Sequence, residues 1–214
     1  MPKKCKSWST EAIVTCPGSI KSKKDGVVEL VDACKGCYAT TGMYHMPNVK
    51  APRVHNKEDW KRKDWVGDMI TAITKDELFR WFDSGDAYDL RLVKKIKEVI
   101  EGTPTTKHWF PTRQHKFPKF AKMLAEIAAL PNAVVRLSSD SVTGGIIEGD
   151  NTSTIYSDVL PEGATMCGAY TRDGKCGDCR ACWDKTVKVI AYPAHGKKMA
   201  KVIRENVIRT IQLT

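Results

Sequence analysis

The chain has 214 residues, of which 42% are hydrophobic and 28% charged, as is ordinary for a soluble globular protein. A chain of this length can bury a core without covalent staples, so we expect a single domain over residues 1–214. The first residues lack the apolar segment of a secretory signal, and no apolar run approaches the ~20 residues of a membrane span. We therefore expect a cytoplasmic protein that does not enter a membrane.

Basic residues outnumber acidic ones by 35 to 25, which gives a formal net charge of +10. Much of the excess lies in MPKKCK, KSKK, KEDWKRKDW and the final stretch from Lys185. Such patches attract polyanions, so a nucleotide or a nucleic acid is a candidate partner. Solvated helix faces rich in lysine would explain the same charges.

The apolar pattern predicts strands and helices in alternation. Strands are predicted at 11–14, at the start of 77–86, at 107–114, at 133–141 and at 187–195, and helices at 57–74, 87–102, 118–130 and 196–213. The segment 144–154 is predicted to be a flexible loop. Strands that alternate with helices indicate an α/β domain with a parallel sheet.

Polar residues or a cysteine lie at the carboxyl-terminal end of each predicted strand. They are Cys16, Asp83 to Asp86, Thr112 and Arg113, Ser138 to Asp140, and His195. The carboxyl ends of parallel strands meet at one edge of a sheet, and ligands bind there in parallel α/β proteins. We therefore expect a ligand site at this edge.

The eight cysteines form two groups with none between residues 38 and 166. The second group, Cys167, Cys176, Cys179 and Cys182, lies in a cysteine-rich segment at 167–183. The two-residue gaps in CGDCRAC favour an iron–sulfur cluster, in which each sulfur reaches a different iron. A zinc ion held by four cysteines is the alternative.

The first group consists of Cys16, Cys34 and Cys37, with Cys5 upstream. Three thiolates would leave one iron of a [4Fe–4S] cluster free for a ligand. Cys5 would be either a fourth ligand that closes this site or a free thiol near the terminus.

The motifs TCPGS, CKGCYA, FRWFDSGD, WFPTR and CGDCRACW together make the chain resemble a radical S-adenosylmethionine protein reduced to about six β/α units. In particular, the chain is similar to the small bacteriophage family named for gene product 88. The resemblance implies a partial (β/α)6-type barrel and, for a phage-encoded chain, the cytoplasm of the host.

The resemblance also implies ligands for a cofactor. Cys16, Cys34 and Cys37 would hold a [4Fe–4S] cluster whose free iron binds S-adenosylmethionine. Gly85 and Asp86 would hold the amine of that ligand, and two further residues, Arg113 and Ser138, match groups that hold its carboxylate and ribose. The interval between Cys16 and Cys34 is much longer than the interval usual in that superfamily.

The sequence thus predicts an iron–sulfur protein with one or two clusters, zinc being the alternative at the second group. It leaves open whether the protein is an enzyme. In an enzyme, a reductant would be a partner, reductive cleavage of a sulfonium the chemistry, and a nucleotide or nucleic acid the substrate. The alternatives are a non-catalytic nucleic-acid-binding protein stabilised by zinc or a cluster, and an electron carrier.

Overall fold

The computed structural model describes residues 5–212, which contain nine strands and six α-helices. The strands are β1 (Lys6–Trp8), β2 (Ile20–Lys24), β3 (Val27–Leu30), β4 (Leu78–Trp81), β5 (Lys107–Thr112), β6 (Ala133–Ser138), β7 (Thr152–Tyr156), β8 (Thr165–Met166) and β9 (Val189–Pro193). The helices are α1 (Asp32–Lys35), α2 (Pro47–Asp59), α3 (Trp65–Ile73), α4 (Leu90–Glu101), α5 (Pro118–Ala129) and α6 (Lys197–Gln212).

Seven strands form one sheet in the order β1-β4-β5-β6-β7-β9-β8, and every neighbouring pair is parallel. β2 and β3 form a separate antiparallel hairpin. The prediction of a mixed α/β domain with a parallel sheet is therefore confirmed. Within residues 5–212 the sheet is open, because no pairing joins β1 to β8.

One side of the sheet, the helix face, is covered by α3, α4 and α5. Its core combines strand residues such as Phe79, Trp81 and Phe110 with helix residues such as Ile96 and Leu124. α4 and α5 each present an apolar stripe at helical spacing to this face, as the sequence predicts.

The other side, the loop face, is covered by the cysteine loop, residues 167–187. Trp183 from this loop packs on Leu78 and Trp109 of the sheet. No helix of the described residues is long and apolar enough to cross a membrane.

The predicted strand at 11–14 is wrong. These residues form a turn in which Ile13 has a φ of 67°, a left-handed conformation that a strand cannot contain. The first strand, β1, lies upstream and is only three residues long. It pairs with β4 through Trp8 and Trp81.

The single helix predicted at 57–74 is divided into α2 and α3. Trp60 and Trp65 are 2% and 1% exposed, respectively, and both belong to the core of the helix face. Residues five apart lie on different sides of a continuous helix, so a break is needed for both indoles to reach one core.

The predicted loop at 144–154 is partly wrong, because β7 begins at Thr152. The predicted end of the last helix at residue 213 lies outside the described residues, as do the basic residues Lys3 and Lys4.

Candidate metal centres

The predicted ligand edge is built by the segments that follow β1, β4, β5 and β6. Phe82 N donates to Trp8 O at 2.7 Å, and Thr10 N donates to Ser84 O at 3.1 Å, so the segments after β1 and β4 run together. Ala33 N donates to Asp140 O at 3.1 Å, which docks α1 at the end of β6. The short helix carrying Cys34 is thereby fixed to the carboxyl edge of the sheet.

Asp86 joins the segment after β4 to the end of β5. Its Oδ1 accepts hydrogen bonds from Ala87 N at 2.8 Å and from Thr112 Oγ1 at 2.7 Å, and its Oδ2 accepts one from Arg113 N at 2.8 Å. Burial raises the pKa of this carboxyl, while the hydrogen bonds oppose the rise. The cap of α4 is Asp89, which accepts from Arg91 N, so Asp86 holds the edge together rather than beginning that helix.

Gly85 is required by close packing. Its φ is 77°, and a Cβ built on it would lie 2.1 Å from Thr10 Oγ1 and 2.7 Å from Thr15 Oγ1. Any larger residue would therefore push the segment after β4 away from the segment that leads to Cys16.

Two cations meet one carboxylate beside Asp86. Arg113 Nε lies 3.3 Å from Asp140 Oδ1, and Lys116 Nζ lies 2.6 Å from Asp140 Oδ2. Arg113 also donates from Nη2 to Ser139 O at 2.9 Å. Ser138 is half-buried at the end of β6, and its hydroxyl lies 3.5 Å from Ser153 Oγ.

The three thiols of the first group converge at this edge. Cys16 is close enough to Cys34, Cys37 and Asp86 to interact with them electrostatically, and Cys34 is similarly close to Arg113. Burial is the main cause that raises the pKa of all three thiols, and neighbouring thiolates add to the rise at Cys16 and Cys34. Arg113 lowers the pKa of Cys34 and Cys37 without overcoming burial. A bound cation would supply the positive charge that three thiolates need here.

The four thiols of the second group line one small pocket. The lining consists of Cys167, Cys176, Cys179 and Cys182, together with apolar neighbours that include Trp183 and Ile190. Cys167 follows β8 directly, and Cys182 Sγ lies 3.8 Å from the hydroxyl of Tyr192 on β9. Burial raises the pKa of Cys182 to about 11 and also raises that of Cys167. Soft sulfur donors are the ligand type that zinc and iron–sulfur clusters prefer, although in residues 5–212 these thiols are not arranged as a metal-binding group.

Arg136 pins the cysteine loop to the sheet. It is 0% exposed in the middle of β6, and burial lowers the pKa of its guanidinium. Its nitrogens donate to four carbonyl oxygens, at 2.7 Å to Ala181, 3.2 Å to Cys182, 2.9 Å to Asp184 and 2.9 Å to Val187. The guanidinium of this β6 residue therefore fixes the backbone around Cys182.

Arg80 occupies the loop face between the two groups. It lies 3.0 Å from Asp83 Oδ1, donates to the Tyr38 hydroxyl at 3.3 Å and stacks 4.4 Å from the Trp109 ring centroid. Tyr38 follows Cys37 of the first group, and Arg80 also interacts electrostatically with Cys182 of the second.

Sequence reasoning missed Arg80 and Arg136. The signal that could have found them is an arginine inside a short apolar strand, in LFRW and in AVVRLS. Such an arginine is buried at high cost unless a specific set of acceptors surrounds it.

In residues 5–212 no group of three or more His, Cys, Asp or Glu side chains is arranged to hold a metal ion. All eight cysteines are free thiols. The thiols of each group are therefore neighbours that form neither disulfides nor a ready-made metal site, and metal binding at either group stays a prediction.

A family described as gene product 88 matches residues 2–185. This match covers both cysteine groups and most of the chain, so the chain belongs to the gene product 88 family. No curated protein and no solved structure matches the chain.

Proposed function

We propose that this protein binds a [4Fe–4S] cluster through Cys16, Cys34 and Cys37, within a partial barrel of the radical S-adenosylmethionine type. The observation that carries the proposal is that one buried thiol, Cys34, and two half-buried thiols, Cys16 and Cys37, lie near one another at the carboxyl edge of an open parallel sheet. Ligands bind at this edge in parallel α/β proteins. We propose a second metal centre, a cluster or zinc, in the pocket lined by Cys167, Cys176, Cys179 and Cys182.

The chain's own residues have distinct tasks at the first centre. The three thiols would hold the cluster, and Arg113 places a positive charge beside two of them. Asp86 and Gly85 keep the segments after β1, β4 and β5 together. Reductive cleavage of a sulfonium is the chemistry that a cluster with one free iron supplies when it is bound.

Metal analysis of variants tests the proposal. Cys34→Ser and Cys37→Ser should remove the iron of the first centre and leave the metal of the second. Cys179→Ser is the matched control, because it alters one thiol of the other group and should have the reverse effect. Iron, zinc and acid-labile sulfide are measured per chain after anaerobic purification. Unchanged iron in both first-group variants, or colourless protein containing only zinc, would contradict the cluster.

S-adenosylmethionine is the ligand that we propose for the first centre, near Gly85, Asp86, Arg113 and Ser138. Adding it to the reduced protein should change the electron paramagnetic resonance spectrum of the first centre. The spectrum of the Cys34→Ser variant should not respond, because that variant lacks the first cluster. A wild-type spectrum that does not change rejects this ligand and leaves the cluster proposal intact.

A second candidate function is binding to nucleic acid, and the β2–β3 hairpin favours it. All five residues of β2 are exposed, and three of them are Lys21, Lys23 and Lys24. Exposed lysines of this hairpin can neutralise phosphates and release counterions, although Lys21 Nζ already lies 3.1 Å from Glu29 Oε1 of β3.

Fluorescence anisotropy with a labelled oligonucleotide tests this function. Affinity should fall steeply with salt, and replacing Lys21, Lys23 and Lys24 by Gln should weaken binding. The same replacement should flatten the salt dependence by about one unit of slope for each lysine that had neutralised a phosphate. The matched control replaces three exposed lysines of α4 and α5, Lys94, Lys119 and Lys122, by Gln. It removes the same positive charge at a distance from the hairpin in sequence. Equal losses in both variants would indicate attraction by net charge alone, and binding that does not depend on salt would reject the polyanion.

A further inference from the structure

Three exposed rings lie at the carboxyl edge of the sheet. His195 follows the end of β9 by two residues, and Tyr170 follows the end of β8 by four. Tyr38 follows α1, which is docked at the end of β6. Tyr38 and Tyr170 are 44% and 41% exposed, whereas aromatic side chains usually supply apolar area that proteins bury. We call Tyr38, Tyr170 and His195 the aromatic rim.

The rings of the aromatic rim are neighbours. Those of Tyr170 and His195 have centroids 4.1 Å apart, and Tyr170 is close enough to Tyr38 to interact with it electrostatically. The Tyr38 ring is also in edge contact with the ring of Tyr44, with centroids 5.5 Å apart. Exposed apolar area gathered in one place marks an interaction site more often than single exposed side chains do.

Hydrogen bonds fix two of these rings. The Tyr38 hydroxyl donates to Asp83 O at 2.6 Å and accepts from Arg80 Nη2 at 3.3 Å, and His195 Nδ1 donates to Pro193 O at 3.2 Å. Because the Tyr38 hydroxyl already has protein partners, its side chain exposes mainly apolar ring. A ring that is held in place loses little conformational freedom when a flat ligand stacks on it.

Positive charges lie beside the aromatic rim on the side of α6. Lys197 and Lys198 are exposed and follow His195 closely in the chain. Lys198 Nζ also donates to Thr40 Oγ1 at 3.1 Å, which places this ammonium near the segment of Tyr38. These cations and the rings therefore share one surface.

Positive charge is also in excess beside Tyr38 itself. Asp83 Oδ2 lies 3.0 Å from Arg53 Nη2, and Asp83 Oδ1 lies 3.0 Å from Arg80 Nη1, so one carboxylate is shared by two guanidinium groups. After Tyr170, the negative charge of Asp173 is offset by Lys175, whose Nζ lies 3.9 Å from Asp173 Oδ2. The surroundings of the rings therefore complement an anionic ligand.

We propose that the aromatic rim binds the bases of a single-stranded nucleic acid. This inference rests on the proposed binding to nucleic acid, and it assigns the bases to the rim while the lysines of the β2–β3 hairpin hold phosphates. Aromatic rings stack on bases of any sequence, and cations beside them hold the backbone of the same strand. In a duplex each base is covered by its neighbours, so only an unpaired strand can offer its bases to these rings.

Fluorescence anisotropy with three labelled probes tests the inference. The probes are an oligothymidylate of about twelve nucleotides, an abasic strand of equal length that keeps the phosphates, and a duplex of equal length. Tyr170→Leu and Tyr38→Leu each remove one ring and keep apolar bulk. Tyr170→Phe is the matched control that keeps the ring, and Lys198→Gln removes one charge.

Tyr170→Leu and Tyr38→Leu should each weaken binding of the oligothymidylate by about fivefold or more and leave its salt dependence unchanged. Binding of the abasic strand and of the duplex should not change in either variant. Tyr170→Phe should bind like the wild type. Lys198→Gln should weaken binding of both single strands and reduce the slope of the salt dependence by about 0.7, because it releases one phosphate contact.

Three results would overturn the inference. Equal losses with the oligothymidylate and the abasic strand in the leucine variants would show that the rings support the local fold and do not contact bases. A loss on replacing the hairpin lysines, with no change in either leucine variant, would remove the base contact and leave the proposed nucleic-acid binding standing. A wild-type protein that binds none of the three probes at low salt would remove the nucleic-acid function and this inference together.

Discussion

The two faces of the sheet are covered by different kinds of structure. The helix face packs three amphipathic helices on aromatic and aliphatic strand residues, and the buried His108 stacks against Trp81 among them. The loop face carries Arg80, Arg136 and Tyr192, and it is covered by a loop of short turns.

The two faces of the sheet are therefore stabilised in two different ways. Apolar area removed from water stabilises the helix face by ~25 cal/mol per Å², and this contribution does not depend on any partner. The loop face depends on buried donors that find their acceptors, because an unpaired buried polar group costs about 1–3 kcal/mol, roughly twice what a typical hydrogen bond contributes. Changes on the two faces should therefore have different signatures.

The largest effect is expected at Arg136, where a methionine would keep much of the volume but leave four carbonyl oxygens of the cysteine loop without their donor. Arg136→Met should lower the free energy of unfolding by about 3–5 kcal/mol, because each buried acceptor that loses its donor costs about 1 kcal/mol or more. It should also reduce the metal bound by the second centre while the first centre keeps its iron.

Urea unfolding and metal analysis measure these effects. Arg136→Lys is the control, since it keeps the charge but cannot reach all four carbonyls, and its loss should be intermediate. If Arg136→Met unfolds at the wild-type urea concentration, this side chain does not hold the loop. The loop face is then not stabilised by buried donors in the way described above.

On the helix face, His108 should make stability depend on pH. It is 0% exposed, and burial lowers its pKa to about 4. The Thr103 hydroxyl donates to Val99 O, so its oxygen accepts from His108 Nε2 at 2.9 Å, and Nδ1 has no partner among the described residues. Protonation of Nδ1 would therefore create a second buried N–H donor that has no acceptor among the described residues.

The unfolded chain binds a proton at this histidine near pH 6.5, whereas the folded chain resists it until about pH 4. The unfolded state thus gains protons first as the pH falls, and stability present above pH 6.5 is lost on the way to pH 4. The loss is about 3 kcal/mol. His108→Leu cannot titrate, so the difference between its urea midpoints and those of the wild type at pH 7 and pH 4 isolates this residue. Parallel changes in both proteins would mean that His108 contributes nothing.

The difference between regular apolar packing and specific polar contacts also determines which elements the sequence can predict. α4, α5 and strands β4, β5, β6 and β9 follow from apolar periodicity, because each buries one face against regular structure. β1 and β8 escaped prediction because three and two residues are too short for a period to show. β7, with the sequence TSTIY, is buried through hydroxyl-bearing residues at its start, so hydrophobicity does not reveal it.

Some features of the candidate site could likewise be predicted from the sequence, and others could not. The meeting of Asp86, Arg113 and Asp140 at one edge follows from the parallel sheet, because polar residues after parallel strands reach a common edge. The packing of Cys5 against Leu78, Trp109 and Trp183 could not be read from spacing, and neither could the four acceptors of Arg136, because both depend on the path of the cysteine loop. An arginine within AVVRLS was the available signal.

The smallest effect concerns how Trp183 attaches the cysteine loop to the sheet. Its Nε1 donates to Phe79 O at 2.9 Å, while Nε1 of the neighbouring Trp109 has no hydrogen-bond partner among the described residues. The two rings are in edge contact with centroids 5.2 Å apart, so replacing either by phenylalanine removes a similar apolar area from one cluster. Trp183→Phe also loses a hydrogen bond, whereas Trp109→Phe removes a buried N–H that donates to nothing and still offers Arg80 an aromatic ring. Trp183→Phe should therefore destabilise the protein by about 1 kcal/mol more than Trp109→Phe in urea unfolding. Equal losses would show that apolar contact alone holds the loop at this point, and the loop face would then resemble the helix face more closely than its hydrogen bonds imply.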